Sequence, residues 1–220
     1  MKKFLLTILL CFCIATYLQA DNLIFHIGGG LSSHYGGSTR NIGAFRIGMG
    51  YDIRLPQSWS IEPAAYFYAK GWKDKNKEVP MYDEDGNLVY DDNGNLITGV
   101  MNVTSNTNYL EIPILVHYHL TLPSEHILTF SAGPYAAYGI GGNSKTSGDT
   151  EQSGADRFYH SHSTFSQDNV HRFDAGITAG ISYRFTESIE AGFSCDFGLT
   201  NVKREGGKNV SGIITLSYRF

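Results

Sequence analysis

The amino-acid sequence predicts an all-β protein, an eight-stranded antiparallel up-and-down transmembrane β-barrel. The first observation is a two-residue alternation of apolar and polar side chains that continues over long segments. The second is the length of these segments, about ten residues or more, which suits a tilted membrane strand better than a soluble strand of about five or six residues. The third is that the connections between them are alternately short and long, as in outer-membrane barrels.

The alternation is clearest in the last third of the chain, from residue 172 onward. The apolar face there consists of Phe173, Ala175, Ile177, Ala179, Ile181, Tyr183 and Phe185. The opposite face consists of Arg172, Asp174, Gly176, Thr178, Gly180, Ser182 and Arg184. Residues 45–55, 189–199 and 210–220 alternate in the same way. A soluble sheet with one face in water also alternates, so a soluble periplasmic β-protein is an alternative that composition leaves open.

We predict strands over residues 22–31, 43–55, 58–72, 105–120, 126–141, 169–186, 187–200 and 209–220. The long connections are residues 32–42, 73–104, 142–168 and 201–208. The remaining three are short turns at residues 56–57, 122–125 and 186–187, the last of which overlaps the ends of its two strands. Short turns face the periplasm in this class and long loops face outward, so both termini are expected in the periplasm. Pro63, Pro113 and Pro134 fall inside strands, where the missing N–H predicts local bulges.

Aromatic residues near the ends of these segments predict interfacial girdles, where a barrel wall meets the lipid headgroups. They are Tyr51, Trp59, Trp72, Tyr118, Tyr138, Tyr183, Phe185, Tyr218 and Phe220. No apolar stretch after residue 20 is long enough for a spanning helix, so a membrane protein of this sequence must cross as a closed barrel.

The first twenty residues predict a cleaved signal peptide, residues 1–20, followed by one barrel domain, residues 21–220. Lys2 and Lys3 form a basic start, an apolar run follows, and Ala20 is a suitable small residue before the cleavage site. Cys11 and Cys13 allow a lipoprotein alternative, although the residues before them are large. The expected location is therefore the bacterial outer membrane.

Composition of the mature chain excludes some classes of partner and site. Loss of the two signal-peptide lysines reduces the 17 basic residues to 15 against 21 acidic ones, a formal charge of −6, which argues against nucleic acid. Cys195 is the only cysteine left, so no internal disulfide forms. We interpret it as a small apolar residue on a strand, with pairing between chains as the alternative. No cofactor is indicated.

Charged residues of the strands all share the inward parity and predict an ion-pair network in the lumen. The basic members are Arg46, Arg54, Lys70, Arg172, Arg184 and Arg219, and the acidic members are Asp52, Glu62, Glu111, Asp174, Glu190 and Asp196. Equal numbers of both signs are what buried charges need in order to pair. An eight-stranded barrel is just wide enough for side chains to fill, so we predict an occluded lumen and no open channel.

The segment Tyr109-Leu110-Glu111-Ile112-Pro113, with hydrophobic residues after it, follows a long loop. Together with Ile61-Glu62-Pro63 it resembles the PorT-like outer-membrane β-barrel family, which is related in shape to small OmpX- and OmpA-like barrels. The resemblance implies an eight-stranded meander. The aromatic ending with Tyr218 and Phe220 is similar to the signal that the barrel-assembly machinery reads, although Thr215 stands where a glycine is common.

Two loops carry candidate metal ligands, each with a simpler interpretation. Residues 82–89 nearly repeat as residues 90–97, and the carboxylates before each glycine suggest calcium, but Gly94 stands where a calcium loop needs glutamate. Tight turns are favoured over calcium, and with either interpretation the loop could extend the barrel wall above the membrane as a protruding sheet. His160 and His162, with His171, suggest a transition metal without an evident further ligand, and a polar surface loop is favoured.

The leading functional hypothesis is a non-enzymatic barrel. It would be a structural, adhesive or envelope-complex assembly component that acts through loops 73–104 and 142–168 and meets outer-membrane lipid and an envelope protein partner. The alternative is a membrane-embedded enzyme that acts on lipid or peptide. His117 and His119, which share the inward parity of Glu111, or His160 and His162, would then be catalytic. Hydrogen bonding in a polar lumen is the favoured role of His117 and His119.

Overall fold

The computed structural model describes residues 22–35, 39–81, 83, 85, 87–123, 126–149, 157–166, 170–204 and 206–220. For residues 75–77, 149 and 157–160 it describes the backbone alone. The predicted signal peptide, residues 1–20, lies outside the described residues. No helix in the described ranges is long and apolar enough to cross a bilayer.

The described chain is built almost wholly of β-strands. They are β1 (Leu23–Tyr35), β2 (Ile42–Tyr51), β3 (Ile53–Arg54), β4 (Trp59–Pro80), β5 (Thr98–Thr121), β6 (Ile127–Gly141), β7 (Asn143–Asp149), β8 (Arg157–Ser163), β9 (Phe173–Arg184), β10 (Ile189–Gly198) and β11 (Lys208–Arg219). A short 3-10 turn, Thr164–Ser166, follows β8.

Eight of these strands close into a ring in which every neighbouring pair is antiparallel. The order is β1, β2, β4, β5, β6, β9, β10 and β11, and β11 pairs with β1 to complete the circle. The two-residue β3 continues β2 and pairs with β4. The predicted eight-stranded up-and-down barrel is therefore confirmed, and closure leaves no strand edge within the ring.

The prolines interrupt the ladder but do not shift its register. Pro63 lies opposite Ile114, and the pairing resumes at Tyr66 and Glu111 in the same register. The described ladders of β5 shift register elsewhere, between Asp74 and Lys77 of β4 and beside Asn108. The predicted bulges at the prolines are therefore wrong: each proline only removes a donor, and neighbouring hydrogen bonds keep the strands aligned.

The ends of β4 and β5 rise above the ring as a protruding sheet, which we define as residues 73–80 of β4, 98–105 of β5, β7 and β8. Strand β7 pairs with Met101–Ser105 of β5, and β8 pairs with β7. The sequence predicted loops over 73–104 and 142–168, but most of the described residues in these two ranges are strands. Outside a membrane both faces of a sheet meet water, which removes the apolar alternation that would reveal a strand.

The outer face of the ring is an apolar belt whose side chains are exposed in the isolated chain. Its members include Ile27, Phe45, Phe67, Leu110, Ile112, Phe130, Ile177, Ile181, Phe193, Ile214 and Leu216. A continuous apolar band on a closed ring is the surface that faces lipid. Cys195 lies on β10 as a partly buried free thiol.

One aromatic girdle is visible at the end of the barrel that carries the short turns. Contacting pairs there are Trp59 with Tyr118, Tyr183 with Phe185, and Tyr218 with Phe220, all with ring centres about 5 Å apart. Tyr138 lies near the opposite end and is 55% exposed. Trp72 was predicted to belong to a girdle, and this is wrong: it is 1% exposed and points inward.

Candidate functional site

The centre of the lumen holds Lys70, a buried cation shared by two carboxylates. Its Nζ lies 3.2 Å from Glu111 Oε2 and 3.2 Å from Asp174 Oδ2, and all three side chains are at most 1% exposed. The ammonium group also lies about 5 Å from the ring centres of Tyr109 and Tyr135. Paired carboxylates and aromatic faces together replace the water that a buried lysine loses.

Asp174 is further held by neutral donors. The side-chain amide of Asn209 donates to Oδ2 over 2.7 Å, and the Thr200 hydroxyl donates to Oδ1 over 3.0 Å. The Tyr135 hydroxyl donates to Oδ2 over 3.3 Å. With Lys70, four donors from four strands or turns therefore meet at one carboxylate, which fixes it in place.

Next to this cluster, Tyr68 and Arg46 reach across the lumen. The Tyr68 hydroxyl on β4 donates to Asp196 Oδ2 on β10 over 2.8 Å. The Thr178 hydroxyl donates to the other oxygen of Asp196 over 2.7 Å. The Arg46 guanidinium donates to the hydroxyls of Ser194 and Thr215 and lies over the Tyr66 ring. These side chains cross the space that a channel would need.

A third cluster joins two histidines to Glu62. His26 Nε2 lies 2.9 Å from Glu62 Oε1, and His117 Nε2 lies 3.3 Å from Oε2. The opposite ring nitrogens meet hydroxyls: Ser217 lies 2.8 Å from His26 Nδ1, and Ser131 lies 2.7 Å from His117 Nδ1. A cavity of about 70 Å³ adjoins the cluster. His26 was missed in the sequence, although its inward parity on β1 was a usable signal.

Ion pairs continue to the short-turn end of the lumen. Arg219 Nη1 donates to Asp52 Oδ2 over 2.6 Å, and Arg184 Nε donates to Glu190 Oε2 over 3.3 Å. His119 bridges the hydroxyls of Ser60 and Thr129 there, while His117 belongs to the Glu62 cluster. The structure therefore places ten of the twelve predicted lumen charges inside the barrel.

The other two predicted lumen charges, Arg54 and Arg172, lie outside this network. Arg54 is exposed at the mouth beside the short turns. Arg172 is exposed at the opposite end, where it donates to the carbonyl of Gly139 and lies over the Phe165 ring. Both lie at the ends of their strands. There an inward-pointing side chain already meets solvent, so the alternation no longer predicts a lumen position.

An apolar plug that the sequence did not reveal closes the loop end of the lumen. Phe165 of the 3-10 turn packs edge-on against Tyr109, and its ring occupies the space that a side chain at Gly139 would need. Trp72 stacks on His34 with ring centres 4.1 Å apart, and Lys203 lies over the indole. Lys203 also pairs with Asp74 at 3.2 Å. Loop residues supply much of this plug, so strand alternation gave no signal for it.

The tip of the protruding sheet consists of two successive turns, as the repeat predicted. Asp83 accepts hydrogen bonds from the N–H groups of Asp85 and Asn87, and Asp91 accepts them from Asn93 and Asn95. The hydrogen bonds from Asn95 lower the pKa of Asp91. Both aspartates thus use their carboxylates to hold turns.

The described residues provide no metal site for either of the two loops. No group of three or more His, Cys, Asp or Glu side chains in the described ranges is placed to hold a metal ion. The side chain of His160 lies outside the described residues, while His162 and His171 are exposed. The sequence-based hypothesis of a His160–His162 site therefore stays a hypothesis.

A closed antiparallel ring with a polar, filled lumen and an apolar outer belt defines a small transmembrane β-barrel. The chain belongs to the outer membrane protein β-barrel domain family, because the family model matches residues 20–204. Its location is accordingly the outer membrane. No curated protein matches the sequence.

Solved structures of small outer-membrane barrels are similar to this chain at low sequence identity. Ail, the attachment invasion locus protein of Yersinia pestis, has 11% identity and a TM-score of 0.45, with 91% of this chain and 99% of Ail covered. Neisserial surface protein A has 12% identity and a TM-score of 0.40, with 90% and 96% covered. The N-terminal barrel of Pseudomonas aeruginosa OprF has 16% identity and a TM-score of 0.33, with 92% and 100% covered.

Proposed function

We propose that this barrel is a non-enzymatic interaction protein, adhesive or structural, which meets an envelope protein partner through residues 73–104 and 142–168. One observation carries the proposal: the wall continues past the belt as a protruding sheet of four strands. A sheet that only had to span the membrane would end at the belt. Loops and extensions held by a rigid scaffold are where binding residues concentrate.

The tip of this sheet offers an apolar contact surface in water. Its exposed hydrophobic side chains are Leu88, Tyr90, Leu96 and Val100, and Tyr90 is 54% exposed. The tip is also acidic, since residues 81–97 contain five acids and no basic residue. Exposed apolar side chains rimmed by charge mark protein contact sites.

We propose further that the protruding sheet faces the cell exterior and that both termini face the periplasm. The arrangement of the connections supports this orientation, because the short turns share one end with the C-terminal Tyr218 and Phe220. These two residues would then serve the barrel-assembly machinery during biogenesis. Protease added to intact cells should cut within residues 81–97 if the orientation is correct.

Membership of the PorT-like group is a finer proposal that rests on the segment Tyr109-Leu110-Glu111-Ile112-Pro113. In the structure Tyr109 and Glu111 are buried in the lumen beside Lys70, while Leu110 and Ile112 belong to the belt. These four residues of the motif thus alternate between the lumen and the belt. Alternation of this kind would suit any barrel, so a wider set of related sequences is the appropriate test.

The enzyme alternative receives weaker support. His117 and His26 each lie between a serine hydroxyl and the Glu62 carboxylate. Nucleophilic catalysis can use such a serine–histidine–carboxylate arrangement. However, Glu62 already pairs with both histidines, and the adjoining cavity of about 70 Å³ is too small for a lipid or peptide. Unchanged lipid and peptide profiles in a deletion strain are expected.

The interaction proposal is tested by photo-crosslinking in intact cells. A photoreactive residue at Tyr90 should give one discrete crosslinked species, and the same residue at Phe193 of the belt should give none with that partner. Replacing residues 81–97 by a short glycine-containing turn should abolish copurification of the partner while the barrel still folds. Equal recovery of the partner with and without residues 81–97 would refute the proposal.

A further inference from the structure

The outer face of the wall carries a row of cations just above the belt. We call Arg40, Lys73, Thr104 and Lys145 the basic row. Arg40 and Lys73 exchange two backbone hydrogen bonds of 2.7 and 3.1 Å. Lys73 lies opposite Thr104 of β5, and Thr104 lies opposite Lys145 of β7. Residues directly opposite one another in a ladder point to the same face, so the four side chains form one line across neighbouring strands.

This line faces outward. Lys73 lies an even number of residues from Phe67 of the belt on the same strand, and Thr104 lies an even number of residues from Leu110. Each therefore points to the same side of the wall as the belt residue. The intervening position Ser105 points inward, where its hydroxyl lies 2.7 Å from Ser144. Arg40 and Lys145 are exposed and Lys73 is half-buried. No described carboxylate forms an ion pair with any of the three cations.

The row lies at the height of lipid headgroups. Lys73 lies fourteen residue positions after Trp59 of the girdle on β4, which is about 45 Å of strand at roughly 3.3 Å per residue. A tilt of about 40° reduces this to a height of about 35 Å. The hydrocarbon core is about 30 Å thick and the bilayer with headgroups about 40–45 Å. Lys73 therefore reaches beyond the acyl chains into the layer where lipid phosphates lie.

We propose that the basic row binds the phosphate groups of a phosphorylated membrane lipid in the leaflet on the side of the protruding sheet. Guanidinium and ammonium groups bind phosphate through charge-assisted hydrogen bonds, and the Thr104 hydroxyl adds a neutral donor. The apolar belt further down the wall takes the acyl chains of the same lipid, which favours a lipid over free phosphate. On β5 the outward residues Asn106 and Asn108 lie between the row and the belt. The assignment of the leaflet to the cell exterior rests on the proposed orientation.

The opposite end of the barrel has a different outer surface. Its outward side chains are the aromatic pairs of the girdle, including Trp59 with Tyr118. The nearest arginine, Arg54, lines the mouth of the lumen together with Arg184 and Arg219. The two ends of the belt are therefore chemically distinct, because the basic row lies at one end and the paired aromatic rings of the girdle lie at the other.

The test is a binding titration of the purified full chain in detergent with bis-phosphorylated lipid A, measured at low and high salt. The triple variant Arg40→Gln, Lys73→Gln, Lys145→Gln should raise the apparent Kd about tenfold or more. Each substitution removes a positive charge whose attraction to the lipid phosphates contributes to the binding free energy. The matched single variants are K73Q, which should weaken binding severalfold, and R54Q, which should leave it within about twofold. Added salt should weaken binding to the wild-type chain.

Three results would overturn the proposal. One is equal affinity of the wild-type chain and the triple variant, and another is equal affinity for lipid A and its dephosphorylated form. The third is binding of inorganic phosphate alone at the same concentrations, which would make this a site for free phosphate. Heat modifiability on gels shows whether the triple variant folds. If the triple variant does not fold, the comparison of the wild-type chain with K73Q still tests the proposal. The titration needs no protein partner and no membrane orientation, so its failure is distinguishable from failure of the proposed function.

Discussion

The Tyr68 hydroxyl donates a 2.8 Å hydrogen bond to Asp196 across the full width of the lumen. Tyr68 lies on β4 and Asp196 on β10, and three strands separate these two on either side of the ring. A bond between opposite walls closes the space between them. The lumen is therefore a packed polar core, and the outer surface is what remains available for partners.

Lys70→Met should destabilise the barrel by about 3–5 kcal/mol, because it leaves Glu111 and Asp174 buried without the cation they share. Urea unfolding in lipid vesicles, followed by the heat-modifiable gel shift, measures the change. The control is Arg204→Met, which removes an exposed cation outside the basic row and should change the free energy of unfolding by less than about 0.5 kcal/mol. Equal stability of K70M and the wild-type chain would contradict the importance of this cluster.

Ile214→Arg should destabilise the barrel by about 2–4 kcal/mol if the belt faces lipid, because it places a charge near the middle of the membrane. Ile214 is 68% exposed and lies at the middle of β11. The matched variant Tyr218→Arg, on the same face but in the girdle, should cost only about 0–1 kcal/mol. A similar cost at both positions in a vesicle unfolding assay would argue against the assigned depth.

The turn at Asp91 should lose order in acid. Hydrogen bonds from Asn95 lower the pKa of Asp91, so the ionised form stabilises the turn. This contribution is complete above the ordinary aspartate pKa of about 3.9 and is lost as the pH falls through the lowered value. Backbone amide signals of Asn93 and Asn95 report it by NMR. Asp91→Asn should remove the transition, and its persistence in that variant would show that another group titrates.

The barrel could be predicted from the sequence because a membrane-spanning strand must alternate apolar, lipid-facing side chains with polar, lumen-facing ones. Asp174 and Asp196 could be assigned to the lumen from parity alone, since no lipid-facing position tolerates a charge. The same rule fails above the membrane. Strands β7 and β8 carry polar residues on both faces, so the sequence predicted a loop there.

The specific partners of each charge could not be predicted from parity. Lys70 pairs with Glu111 of the adjacent strand and with Asp174 of a strand three places away around the ring, and this depends on the width and register of the closed barrel. Phe165 closes the lumen from a loop that has no periodic pattern. Such contacts depend on three-dimensional packing that a single sequence does not reveal.

Single-channel recording in a planar bilayer tests most directly the claim that the protein acts through its surface and not through its lumen. We expect no stable conductance steps from the purified wild-type barrel, because the Tyr68–Asp196 bond, the Lys70 cluster and the Phe165 plug occupy successive levels of the lumen. Folding of the inserted protein is checked by heat modifiability. Large, stable steps from the pure protein would contradict the account and point to a transport function.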